Sequence, residues 1–180
     1  MKNFFAIAFL AVAAIAMTAC GSKNAKLSLV ANGSATFSAE VSYPEKAFMA
    51  AGAESGGVGQ VLTDSVKNVK MTFRLAESMS FSNKQYYADH YSDTFKEMKV
   101  GQYDAFAYQV SKDAPKDYYI TILLEDVADA PDRVLTVVIE QLNKDNNGQG
   151  GKEFFEQNED VASVVNSLVY NAAGTAEAAK

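Results

Sequence analysis

The sequence has no tryptophan, one histidine, one cysteine and two arginines, Arg74 and Arg133. A lone cysteine, Cys20, excludes an intrachain disulfide, a CxxC redox pair and a cysteine-rich metal site. With one histidine, His90, and no serine nucleophile in a recognisable setting, neither a zinc set nor a hydrolytic triad can be assembled. The charge balance excludes more. Sixteen Lys+Arg stand against 22 Asp+Glu, a formal charge of -6, which is a poor match to a phosphate backbone. No nucleic acid partner and no cofactor are expected, and the chain reads as a non-enzyme. What remains is 180 residues, 48% of them hydrophobic, enough for one acidic domain with a real core.

The apolar residues are concentrated at the N-terminus. Lys2 provides a short basic region, and Phe4 to Met17 is an apolar run of 14 residues. A membrane-spanning helix needs about 20 such residues, so the run reads as an export signal. Next, Met17-Thr18-Ala19-Cys20-Gly21 resembles the lipobox of bacterial lipoproteins, with Met17 where leucine is usual. The resemblance implies cleavage before Cys20 and a thioether from its thiol to diacylglycerol, with palmitate-type chains in the membrane. It places the domain in the bacterial cell envelope, lipid-anchored and outside the cytoplasm. Loss of Lys2 leaves 15 basic against 22 acidic residues, a charge of -7. The expected organisation is a signal peptide over 1–19, a tether over 20–26, one domain over 27–171 and a tail over 172–180.

Periodicity supplies the elements. Asn32-Gly33, between Leu27 to Val30 and Thr36 to Tyr43, predicts a type I′ turn and a hairpin. Gly52, Gly56, Gly57 and Gly59 predict a loop over Met49 to Gln60; it lacks the third glycine and the Lys-Ser/Thr of a phosphate loop. Val69, Met71, Phe73 and Leu75 alternate with polar residues as a strand does. Ser82 to Met98 predicts a helix, because Tyr87, Tyr91, Phe95 and Met98 share a face and Gly101 follows. Tyr103 to Val110, Tyr118 to Glu125 and Val134 to Leu142 predict a three-strand meander, the last two strands apolar on both faces and therefore central. A stripe from Phe155 to Val169 predicts a final helix. The fold class expected is α+β, one antiparallel sheet covered by helices on both faces.

Several segments together resemble the PsbP-like proteins. They are Ser42-Tyr43-Pro44-Glu45, Gly101-Gln102-Tyr103-Asp104-Ala105, Val134-Leu135-Thr136-Val137-Val138 and Val165-Asn166-Ser167-Leu168. The resemblance covers about Phe37 to Tyr170, and the tryptophan often found after the early proline is missing. It implies an α/β/α sandwich and a role as an assembly factor or partner-binding subunit.

Candidate sites are few. His90 on its helix lies near Tyr86, Asp93 and Glu97, the setting of a general base or of an ordinary surface histidine. Seven of the nine tyrosines crowd the central third, and Tyr86, His90, Tyr103 and Tyr108 are the candidates for contact with a partner, although tyrosine is also common in sheets. Asn143 to Gly148 mimics half of a calcium loop but has Phe154 where a glutamate is needed. Glu125, Asp126, Asp129 and Asp132 could gather around a cation or stay solvated; no metal site is assigned. The sequence thus predicts a lipid-anchored, non-enzymatic module that binds another envelope protein, with a small-ligand or divalent-metal-binding lipoprotein as the alternative.

Overall fold

Alternation of apolar and polar side chains carries much of the described chain into strands. The structure, a computed structural model, describes residues 23–31, 37–53, 59–78, 82–110, 117–126, 132–142 and 150–172. About 55% of them are in strands and 18% in helices. In chain order the strands and helices are β1 (Asn24–Val30), β2 (Ser38–Pro44), β3 (Met49–Ala53), β4 (Gln60–Asp64), β5 (Val69–Glu77), α1 (Lys84–His90), β6 (Lys96–Val100), β7 (Tyr103–Tyr108), β8 (Asp117–Glu125), β9 (Arg133–Gln141), α2 (Gly151–Gln157), α3 (Glu159–Asn166) and β10 (Val169–Asn171). They build two antiparallel sheets, one ordered β1-β2-β10 and one ordered β3-β4-β5-β9-β8-β7-β6.

The main core lies on one face of the larger sheet. Met71 pairs with Ile139 and Phe73 with Val137, while Tyr118 and Ile120 on β8 pair with the same two β9 residues. Side chains directly opposite in a ladder share a face, so these rows form one apolar surface. Leu27, Leu29, Ala39 and Val41 of the small sheet join it, as do Val161, Val164 and Val165 of α3. Each large apolar side chain buried there contributes about 1.5–3 kcal/mol. β8 and β9 are interior strands of the meander, as their two apolar faces predict.

The α+β expectation, a sheet covered by helices on both faces, is overturned, and the PsbP-like α/β/α sandwich with it. Among the described residues the chain is mostly β, the three helices are seven or eight residues long, and much of the cover over the core is a second sheet. The predicted helix from Ser82 to Met98 stops at His90. Lys96 to Val100 instead forms β6, pairing Met98 with Ala105 and Val100 with Tyr103. Met98 and Val100 fit a period of two as well as a helical stripe, and only the strand gives β7 a hydrogen-bonded neighbour on that side. Gly101, at φ +58, makes the turn between them.

The helix predicted beyond Phe155 is two helices that meet at Asn158. That residue ends α2, and its side chain accepts the Asp160 N–H at 3.1 Å to start α3. Val169 belongs to β10. Met49 to Ala53, read as part of a loop, is a strand with a bulge at Gly52 (φ +82), and Gln60, the last residue of that loop, opens the strand that runs to Asp64. β1 begins at Asn24, inside the span read as tether.

β1 and β2 form the expected hairpin in a different register. Val30 faces Ser38, whereas a two-residue turn at Asn32-Gly33 would set it opposite Ala35. Parity explains the choice. Leu27, Leu29 and Ala31 are odd-numbered, as are Phe37, Ala39, Val41 and Tyr43, and a two-residue turn pairs odd with even positions. One arm would then turn its apolar side chains into water. The turn residues themselves lie outside the described residues.

At the far end of the small sheet, Tyr170 of β10 reaches the larger sheet. Its hydroxyl donates to Glu125, Arg133 donates to the same carboxylate at 2.8 Å and to the Tyr170 oxygen at 3.1 Å, and the guanidinium lies 4.7 Å from the Phe37 ring centre. The Tyr170 hydrogen bond first, then Arg133, holds the Glu125 carboxyl below its ordinary value of 4.5. A carboxyl depressed by folding adds stability above that value and loses it as pH falls through the folded-state value. Tyr170→Phe is therefore expected to cost about 1 kcal/mol at neutral pH and progressively less on acidification below the ordinary glutamate range. Melting temperatures of both proteins across pH 3 to 7 check this, and a constant gap would rule out the linkage.

Candidate functional site

Tyr86, Tyr87, Tyr91, Phe95, Phe106, Tyr108 and Tyr119 assemble around α1, on the face of the larger sheet opposite the main core. Asn83 starts the helix by accepting the Tyr86 N–H at 3.1 Å. Tyr87 and Tyr91, four apart, then fall on one side and meet the sheet. Tyr87 packs 4.8 Å from Tyr108 and 5.2 Å from Phe106; Tyr91 stacks on Tyr108 at 4.6 Å, and Tyr108 on its cross-strand partner Tyr119 at 5.0 Å. Burial, and then repulsion from Tyr87, pushes the Tyr108 hydroxyl above the usual tyrosine range. Burial likewise raises Tyr87. Both phenols stay neutral at physiological pH and serve as packing and donors, not as bases.

Tyr86 and His90 occupy the outer side of α1. Their rings stack at 3.9 Å, and the His90 Nδ1–H donates to the Tyr86 carbonyl at 3.0 Å, which sets the tautomer. Tyr86 is 47% exposed. Of the four partner-contact candidates, Tyr86 and His90 touch, and Tyr108 lies beneath them through Tyr87. Tyr103 is elsewhere. It sits at the other end of β7, pairs with Val100 and packs against the main core, on the opposite face from Tyr108.

The chemistry proposed around His90 does not assemble. Because the chain leaves the helix after His90, Glu97 is carried onto β6, where it pairs with Lys84 at 3.1 Å. Of the acidic turn, Glu125 is held by Arg133 and Tyr170, and Asp129 lies outside the described residues. Among the described residues no group of three His, Cys, Asp or Glu is placed to hold a metal ion. Cys20, the Gly56 to Val58 segment and the Asn143 to Gly148 loop also lie outside them.

Two polar arrangements escaped the sequence reading. Asp64, 2% exposed, accepts the N–H groups of Val66 and Lys67, both at 2.9 Å, and so builds the β4–β5 turn. Its signal was an Asp placed two residues before an exposed valine between two strands. The Glu125–Arg133–Tyr170 cluster left no local signal, since its members are brought together only by tertiary structure. In comparisons with protein-family models, with characterised proteins and with solved structures, nothing matches this chain.

Proposed function

We propose that the chain is a lipid-anchored protein of the bacterial cell envelope whose domain binds a second envelope protein and catalyses nothing. One observation carries the reading. Cys20, the lone cysteine, stands directly after a 14-residue apolar run and Met17-Thr18-Ala19, where an exported lipoprotein has its acyl acceptor. Each buried methylene adds about 0.8 kcal/mol, so a diacyl anchor holds a protein at a bilayer unaided. Among the described residues no helix is long and apolar enough to cross a membrane.

The start of β1 at Asn24 adds a geometric constraint. Four residue steps span at most about 14 Å, so an acylated Cys20 would keep the domain at the bilayer surface. That placement suits a protein whose targets are membrane neighbours. The stacked Tyr86–His90 pair is the favoured docking patch, because tyrosine and histidine rings offer broad contact area with few rotatable bonds. A catalytic role for His90 is disfavoured by the loss of Glu97 to Lys84.

Fractionation tests the anchor and co-purification tests the patch. Cys20→Ser is expected to leave the membrane pellet for the soluble fraction; retention in the pellet sinks the lipoprotein reading. The Tyr86→Ala/His90→Ala protein is expected to stay in the pellet and to lose at least about tenfold of a defined partner recovered from solubilised membranes. Undiminished recovery moves the interface away from α1.

A further inference from the structure

A second feature lies on the core side of the larger sheet. A cleft of about 420 Å3 opens where the turn between α1 and β6, the end of β7, the start of β8 and the first turn of α2 meet. Gln109, just past β7, lines it. The Thr94 hydroxyl donates to the Gln109 carbonyl at 2.7 Å and accepts its N–H at 3.2 Å, so the backbone there is clamped. The side chain is only 7% exposed, yet its Nε2 has no hydrogen-bond partner. A buried amide in that condition lowers stability, and native proteins keep few of them.

The charges around the amide are unevenly committed. Glu153 accepts the Gly150 N–H at 2.8 Å, and Asp93 has a partner of its own. Lys96 and Lys152 line the same cleft, and among the described residues neither forms an ion pair. The cleft thus holds two ammonium groups outside any ion pair, with the Asp93 and Glu153 carboxylates also in its lining, beside an unpaired N–H donor. Burial, and then Glu156, pushes the Tyr118 hydroxyl up to about 12, so it too remains a donor.

We propose that this cleft binds a small organic carboxylate, with the charged group taken by Lys96, Lys152 and the Gln109 amide and the apolar body against Tyr118. The volume lies in the range of small-molecule sites, about 300–1,000 Å3. Charge-assisted hydrogen bonds from lysine favour an anion over its neutral amide. The inference is independent of the docking reading, since neither Tyr86 nor His90 lines the cleft.

Thermal melting and calorimetry of the full chain in detergent test it, with benzoate as probe and benzamide and inorganic phosphate as controls. Benzoate is expected to raise the melting temperature saturably at millimolar concentration while benzamide and phosphate do not. Lys96→Ala/Lys152→Ala should weaken benzoate by at least about tenfold. Gln109→Leu supplies a readout that a structural glutamine would not give: the ligand-free protein melts higher, because the unpaired amide is gone, and the benzoate response is lost. The proposal is overturned by no saturable response to benzoate, by an equal response to benzamide or phosphate, or by a Gln109→Leu protein that melts lower and still responds.

Discussion

Gly151→Ala is expected to destabilise the protein by about 3 kcal/mol, at the upper end of what overpacking costs, and to lower its melting temperature by roughly 10 °C. Gly151 opens α2 and is seated on the strands beneath. A Cβ there would lie 2.0 Å from the Ile139 carbonyl oxygen and 2.9 Å from the Tyr118 backbone nitrogen. Both atoms belong to the ladders of interior strands and cannot swing aside as a side-chain tip could. The helix must lift, and with it Lys152 and Glu153, which line the carboxylate cleft. Calorimetric melting checks the prediction, and an unchanged transition would mean that α2 does not rest on β9.

Phe106→Ala is expected to cost about 4 kcal/mol, as deletions of fully buried phenylalanine rings do. Phe106 has no exposed surface and lies 5.2 Å from Tyr87 and 5.7 Å from Phe95. A seven-residue helix has no stability of its own in water, so α1 depends on these ring contacts. The loss should therefore show first as faster hydrogen exchange in α1, with β8 and β9 still protected. Uniform acceleration across the sheet would show instead that α1 and the sheet open as one unit.

How much of this was legible from the residues alone depends on the range of the interaction. The alternation in β5 and the aromatic and β-branched runs of β7, β8 and β9 are local, and those strands lie within a residue or two of where their patterns put them. The segment from Lys96 to Val100 is ambiguous locally, and a ladder partner decided for strand. The β1–β2 register was decided by parity, which is present in the sequence and outweighs the Asn32-Gly33 turn signal.

The same parity marks the cleft. Gln109 follows Ala105 and Ala107 on the core-facing row of β7 and its extension, so an amide at that position is out of place by pattern alone. That Lys96 and Lys152 stand outside any ion pair had no such mark, because it required knowing that Glu153 turns back to Gly150. The exposed stack of Tyr86 on His90 was half legible: the two are four apart on a helix, but Tyr103 appeared a fitting companion only until β7 placed it on the opposite face.

The central strand of the small sheet has neighbours from the two ends of the chain. β2 pairs with β1 close by, and then with β10, where Val169 meets Glu40 across nearly the whole domain. During synthesis or export the first pairing can form at once, while the second must wait for the last strand to emerge. Until then β2 offers a row of unpaired N–H and C=O groups, the template on which chains mispair. Folding yield, more than final stability, is therefore expected to follow how quickly three residues at the C-terminal end of the domain reach that edge.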